Sequence, residues 1–257
     1  MASGIEARAA VPYGPLGLVL SLVCGIVLTA IYAAVFVGAL ALAYAALFGW
    51  SDMLAAARTL QASGAGRNPS VVVVGYAAGI ALYLAMAAAS LSLARFRGGA
   101  EWRGLVAWQV ERQWWRDRRY WALVAAAIVY SILASVVLSK FYPPSNSWFT
   151  LPPGPAGLLL SFLLVVVAAP VSEELLFRGW IYTSLRSRLE AGASVTISAL
   201  LFALAHYENT HLYALAVLPV GLILGIARER AGTFWATANL HALFNFCAWL
   251  TTALGSG

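Results

Sequence analysis

Glu173 and Glu174 are adjacent carboxylates in an apolar run, and Arg178 follows four residues after the second. Residues four apart share one face of a helix, so Glu174 can pair with Arg178. Glu173 points about 100° away on the same helix and stays available for a proton. The alternative is that all three end the helix and reach out to lipid headgroups. Because charges within an apolar run need partners or a function, we predict an ion pair beside a reactive carboxylate.

Two later apolar runs carry polar side chains at helical spacing. His206 ends a run that folds back on the preceding helix, and at 1.5 Å per residue it lies about 21 Å from the turn, level with Arg178. Phe202 lies one turn before His206 on the same face. His241 and Asn245 are four residues apart and share a face of an otherwise apolar helix. Each patch alone could be helix packing, but together they predict one shared polar cavity.

The chemistry open to these residues is hydrolysis of an amide. A carboxylate beside a histidine can hold a water molecule and take its proton, while histidine and asparagine donors opposite can stabilise an oxyanion. Zinc is the competing possibility, with Glu173, His206 and His241 as a three-ligand set. The HExxH spacing is absent, and Asn245 carries a neutral amide that binds zinc poorly. We therefore favour metal-free hydrolysis and keep zinc as the alternative.

The elements that position these residues are predicted to be membrane helices. Of 257 residues, 62% are hydrophobic and 10% charged, with a mean hydropathy of +0.81, which a water-soluble domain does not match. A backbone in lipid must satisfy its own hydrogen bonds, and the runs are too long for barrel strands. We predict an all-α polytopic bundle of about seven spans, with residues 1–156 as N-terminal helices and 157–253 as the catalytic core. The predicted spans are 16–48, 71–94, 121–139, 157–190, 193–206, 212–228 and 234–253.

The net charge of +6 comes from basic residues in loops, so it indicates topology rather than nucleic-acid binding. With the N-terminus inside, only Arg58, Arg67 and Lys140 fall in the outer loops. Because Lys and Arg are in excess in cytoplasmic loops, this distribution predicts a cytoplasmic N-terminus. The Arg- and Trp-rich segment from Arg95 to Trp121 is predicted to be an interfacial amphipathic helix. The same topology puts His206 toward the outer half of the bilayer and leaves open the face to which the site opens.

The three polar patches, in this order and on apolar helices, resemble the motifs of the CPBP family, which includes CAAX prenyl endopeptidases and bacterial Abi proteins. The resemblance covers about Pro170 to Phe246 and rests on Glu173-Glu174-x-x-x-Arg178, Phe202-x-x-x-His206 and His241-x-x-x-Asn245. It implies a glutamate-dependent intramembrane endopeptidase in which Glu173 and His206 activate water. His241 and Asn245 would then stabilise the tetrahedral intermediate, and Glu174 and Arg178 would support them.

Two functional hypotheses follow. The first is an intramembrane protease that cleaves a membrane-associated peptide or protein. The resemblance to bacterial members of the family implies a location in the bacterial cytoplasmic membrane. Prenylated substrates are not expected for such members. The second is a non-catalytic scaffold or bacteriocin-immunity protein that binds a partner peptide in the same cavity. A transporter would need polar residues through both leaflets, and the first half of the chain offers none.

Overall fold

Every regular element in the described part of the chain is helical, which confirms the all-α fold class. The computed structural model describes residues 14–61, 69–141, 151, 154–207 and 211–255. Arg67, which entered the orientation prediction, lies outside them. The helices in chain order are α1 Pro15–Phe48, α2 Trp50–Gln61, α3 Pro69–Gly98, α4 Trp102–Leu105, α5 Arg118–Phe141, α6 Gly154–Phe162, α7 Ala169–Glu174, α8 Tyr182–Arg186, α9 Ala191–Ala205, α10 His211–Ala231 and α11 Phe234–Gly255.

Four helical stretches in the described residues are long and apolar enough to cross a bilayer, namely Leu16–Phe48, Val73–Leu105, Arg118–Val137 and Gly154–Arg186. Their outward faces carry large apolar side chains, which suits lipid rather than water. The chain is therefore an integral membrane protein. Helices also occupy the other three predicted spans, but α9 has only 15 residues, and the count of seven crossings stays a prediction.

One helix of 33 residues, Gly154–Arg186, runs through α6, α7 and α8 without a break, and we call it the composite helix. Two π-helical segments, Leu163–Ala168 and Leu175–Ile181, join its parts. Such segments widen the helix locally and change the direction of the side chains that follow. The composite helix packs against α3 and α11, so residues from three helices meet along it.

Helices α9 and α10 form a tight hairpin on the composite helix. A Cβ atom added at Gly221 would lie 3.2 Å from the Ala199 backbone, and one at Gly225 would lie 2.9 Å from Val195 Cγ1. This small-residue spacing lets two helix backbones approach closely. Short connections and close packing thereby fix the end of α9, where His206 stands.

The segment between α3 and α5 is not the amphipathic helix that the sequence predicts. It is a folded connection with only short helical turns, Gly99–Glu101, α4 and Trp114–Arg116. Ala107 adopts φ 50°, and its carbonyl accepts hydrogen bonds from Phe234 N at 3.2 Å and Thr233 Oγ1 at 3.1 Å. The prediction fails because these contacts with the start of α11 override the local amphipathic pattern.

Candidate active site

Glu174 and Arg178 form a fully buried ion pair on the composite helix, as their spacing predicts. Arg178 Nη1 lies 2.9 Å from Glu174 Oε1, and both side chains are 0% exposed. Arg178 Nη2 donates to the Gly221 carbonyl at 3.0 Å, and the guanidinium carbon lies 4.3 Å from the Phe202 ring centroid. The pair therefore ties the composite helix to α9 and α10. It lies behind the cavity, away from its lining.

Glu173 faces a different set of partners. Tyr83, on α3, donates its hydroxyl hydrogen to Glu173 Oε1 at 2.8 Å, and His206 Nε2 lies 3.7 Å from Glu173 Oε2. The distance between His206 Nε2 and Glu173 Oε2 is too long for a direct hydrogen bond, but it allows one water molecule to contact both atoms. Glu173 is 8% exposed and the His206 side chain is 23% exposed, so the carboxylate is buried and the histidine half-buried, and both line the cavity.

The contact of His206 with the backbone assigns the protons on its ring. His206 Nδ1 lies 2.8 Å from the Phe202 carbonyl oxygen, which can only accept, so Nδ1 carries the hydrogen. In the neutral ring Nε2 is then an acceptor and faces Glu173. A water molecule between Nε2 and Oε2 would donate a hydrogen to each, leaving its lone pairs toward the cavity.

His241 contacts the paired carboxylate rather than the free one. Its Nδ1 lies 3.1 Å from Glu174 Oε1, so Nδ1–H donates to that oxygen. The ring also lines the cavity. His241 can donate a second hydrogen bond, from Nε2, only as a doubly protonated ring. Its predicted role is to stabilise an oxyanion. That role therefore needs a positively charged ring, for which Glu174 is the counter-charge.

Asn245 joins α11 to the first π-helical segment. Its Nδ2 donates to the Val165 carbonyl at 2.8 Å, and the side chain lines the cavity beside His241. An amide nitrogen has two hydrogens, so one remains for a ligand. Arg228 Nε similarly donates to the Arg178 carbonyl at 3.0 Å in the second π-helical segment. Side chains thus satisfy carbonyls where the composite helix widens.

The structure brings five of the seven predicted site residues to one cavity of about 510 Å³. Phe202 stands between the two carboxylate–histidine pairs, with its ring centroid 4.4 Å from that of His206 and 5.8 Å from that of His241. Glu174 and Arg178 are the two that do not line it. The residues that do are Glu173, Phe202, His206, His241 and Asn245.

The zinc alternative requires Glu173, His206 and His241 to converge, and they do not. His206 lies against Glu173, whereas His241 turns to Glu174 on the other side of Phe202. Among the described residues, no group of three or more His, Cys, Asp or Glu side chains is placed to hold a metal ion. The side chains as they stand do not fit a three-ligand zinc site.

Tyr83 lines the same cavity and was not found from the sequence. It comes from α3, a helix with no charged residue before its end. Ser172 Oγ donates to the Tyr83 carbonyl at 2.8 Å, which ties α3 to the composite helix beside Glu173. A tyrosine in an apolar run is common, so its type and position gave no signal.

Comparison with known proteins agrees with the predicted family. Residues 155–247 match the family model of the Rce1-like, type II CAAX prenyl endopeptidases. An Escherichia coli protein, named only as an uncharacterized 24.3 kDa protein, is 39% identical over 89 residues, which is 33% of this chain and 40% of that protein. No solved structure matches. The predicted family is confirmed over residues 155–247.

Proposed function

We propose that this chain, whose residues 155–247 belong to the Rce1-like family, is an endopeptidase that cleaves a membrane-associated peptide or protein with water activated by Glu173 and His206. The observation that carries the proposal is the 3.7 Å separation of Glu173 Oε2 and His206 Nε2 in a cavity. Two acceptors at this distance can orient one water molecule and take its proton.

The reaction then follows the ordinary course of amide hydrolysis. The water oxygen bonds to the carbonyl carbon of the substrate as Glu173 takes a proton from it. The negative charge on the carbonyl oxygen is stabilised by His241 and by the remaining Asn245 hydrogen. The proton passes to the amide nitrogen, the C–N bond breaks, and an acid and an amine leave. Glu174 and Arg178 hold His241 and Phe202 in place, so we assign them a positioning role.

The test is cleavage by the purified full chain in liposomes of a set of membrane-anchored peptides, with and without a prenyl group. We expect new termini by mass spectrometry, one ¹⁸O atom in the new carboxylate when the reaction runs in labelled water, and unchanged rates after treatment with chelator. Loss of activity in chelator, with recovery on adding zinc, would overturn the metal-free mechanism. Peptide binding with no cleavage would instead favour the scaffold or immunity hypothesis.

His206→Gln is expected to lower kcat by about 10²-fold or more, because the variant loses the imidazole that orients the water for Glu173. The change keeps a polar side chain of similar length, so KM should change little. Initial rates over a range of peptide concentrations separate the two constants. The third histidine of the chain, His211, supplies the matched control through His211→Gln, since no role is proposed for it. Equal loss in both variants would contradict the assignment.

Tyr83→Phe is expected to lower kcat about tenfold, because it removes a hydrogen bond to a charged carboxylate and lets Glu173 rotate. Tyr32→Phe is the control, since the Tyr32 hydroxyl pairs with Ser92 Oγ at 3.0 Å between α1 and α3. Both variants lose one tyrosine hydroxyl. Similar losses of kcat in the two would mean that Tyr83 acts through general packing rather than through Glu173.

A further inference from the structure

A second cavity, of about 250 Å³, lies at the Arg-rich end of the bundle, away from the candidate active site. Its lining comes from the connection before α5, from the first turns of α5 and from the end of α10. Arg112, Gln113 and Asp117 contribute polar groups from one side, and Arg230 contributes a guanidinium from the other. Tyr120 lies against its apolar part. Two cations from different elements thus face one recess.

The charge in this cavity is positive and largely unneutralised. Within the part of the chain that the structure describes, neither Arg112 nor Arg230 forms a salt bridge. Asp117 is the only carboxylate in the lining, and its Oδ1 accepts the backbone N–H of Arg119 at 2.9 Å. The nearby Arg228 is buried and adds to the positive potential. Such a recess favours an anion.

Arg112 lies against the turn between α10 and α11. Its guanidinium lies over Gly232, which adopts φ 72°, and a Cβ atom at that position would lie 2.5 Å from Arg112 Nη1. The hydrogen bonds of the Ala107 carbonyl to Thr233 and Phe234 hold the connection against the same turn. The connection that carries Arg112 is therefore tied to the turn that follows Arg230.

The position of the cavity indicates which anion reaches it. It lies where α5 begins and α10 ends, beside Trp115 and Trp121, which are 45% and 47% exposed. Exposed tryptophans in this setting mark the interface between lipid tails and headgroups. Guanidinium groups bind phosphate oxygens in pairs, and basic pockets between membrane helices hold anionic headgroups. We propose that this cavity binds the phosphate of an anionic phospholipid headgroup through Arg112 and Arg230.

The test compares two double variants that remove the same charge from the same end of the molecule. Arg112→Gln/Arg230→Gln changes the cavity, whereas Arg116→Gln/Arg119→Gln changes exposed arginines outside its lining. Each full-length protein in neutral detergent is titrated with phosphatidylglycerol, with phosphatidylcholine or with soluble glycerol phosphate, and bound lipid is counted by native mass spectrometry. Thermal unfolding of each variant checks that it is folded.

We expect phosphatidylglycerol, but not phosphatidylcholine, to bind the wild type and the Arg116/Arg119 variant. Affinity should fall about tenfold or more in the Arg112/Arg230 variant, since two charge-assisted hydrogen-bonding groups are lost. Equal weakening in both double variants would mean diffuse attraction and would overturn the site. Unchanged binding in the Arg112/Arg230 variant would overturn it as well. Glycerol phosphate that binds as tightly as the lipid would overturn the assignment to a headgroup.

Discussion

Glu173→Gln is expected to lower kcat by roughly 10³-fold while KM stays close to the wild-type value. Glutamine keeps the shape of the side chain, and its Oε1 can still accept a hydrogen bond from the Tyr83 hydroxyl, whose oxygen lies 2.8 Å from Glu173 Oε1. It cannot take a proton from water. The measurement is the initial rate of peptide cleavage in liposomes, together with the affinity of the uncleaved peptide, which should be retained.

The control for this variant is Glu101→Gln, which removes the same charge from an exposed residue in the connection after α3. It should cleave at the wild-type rate. If Glu173→Gln keeps more than about a tenth of the wild-type rate, the carboxylate is not the base and the proposed mechanism fails. If neither wild type nor variant cleaves but both bind peptide with equal affinity, the scaffold hypothesis takes its place.

The sequence predicted the helices and the local pairs because both depend on short-range geometry. Apolar runs of membrane length specify helices through backbone hydrogen bonding, which lipid cannot replace. The spacing of Glu174 and Arg178 put them on one face, and counting residues through the hairpin put His206 level with Arg178. In the structure His206 lies 3.7 Å from Glu173, about one helical turn farther along the composite helix than the count gave. The roles of these residues in catalysis remain predictions.

Contacts between distant segments could not be predicted from the sequence. Nothing in α3 distinguishes Tyr83 from a packing residue, and only the close approach of α3 to the composite helix puts it on Glu173. The attachment of His241 to Glu174 rather than to Glu173 depends on how α11 is rotated. The predicted amphipathic helix failed for the same reason, since the turn at Ala107 is fixed by hydrogen bonds to α11.

Arg178→Met is expected to lower the free energy of unfolding by about 3–5 kcal/mol. The guanidinium is 0% exposed and donates to Glu174 Oε1 at 2.9 Å and to the Gly221 carbonyl at 3.0 Å. Methionine fills similar space but leaves the Glu174 carboxylate buried without its cation. The measurement is unfolding in mixed micelles by increasing denaturing detergent, followed by circular dichroism.

Two further variants separate the lost charge pair from lost packing. Glu174→Gln/Arg178→Met should recover about 1 kcal/mol or more relative to Arg178→Met alone, because the double variant removes both charges of the pair rather than one. Arg186→Met breaks an ion pair with Glu229 in which the two side chains are 44% and 33% exposed, and it should destabilise the protein much less than Arg178→Met. If Arg178→Met were no worse than Arg186→Met, the buried pair would not hold the composite helix against α10. The site built on that helix would then need another source of rigidity.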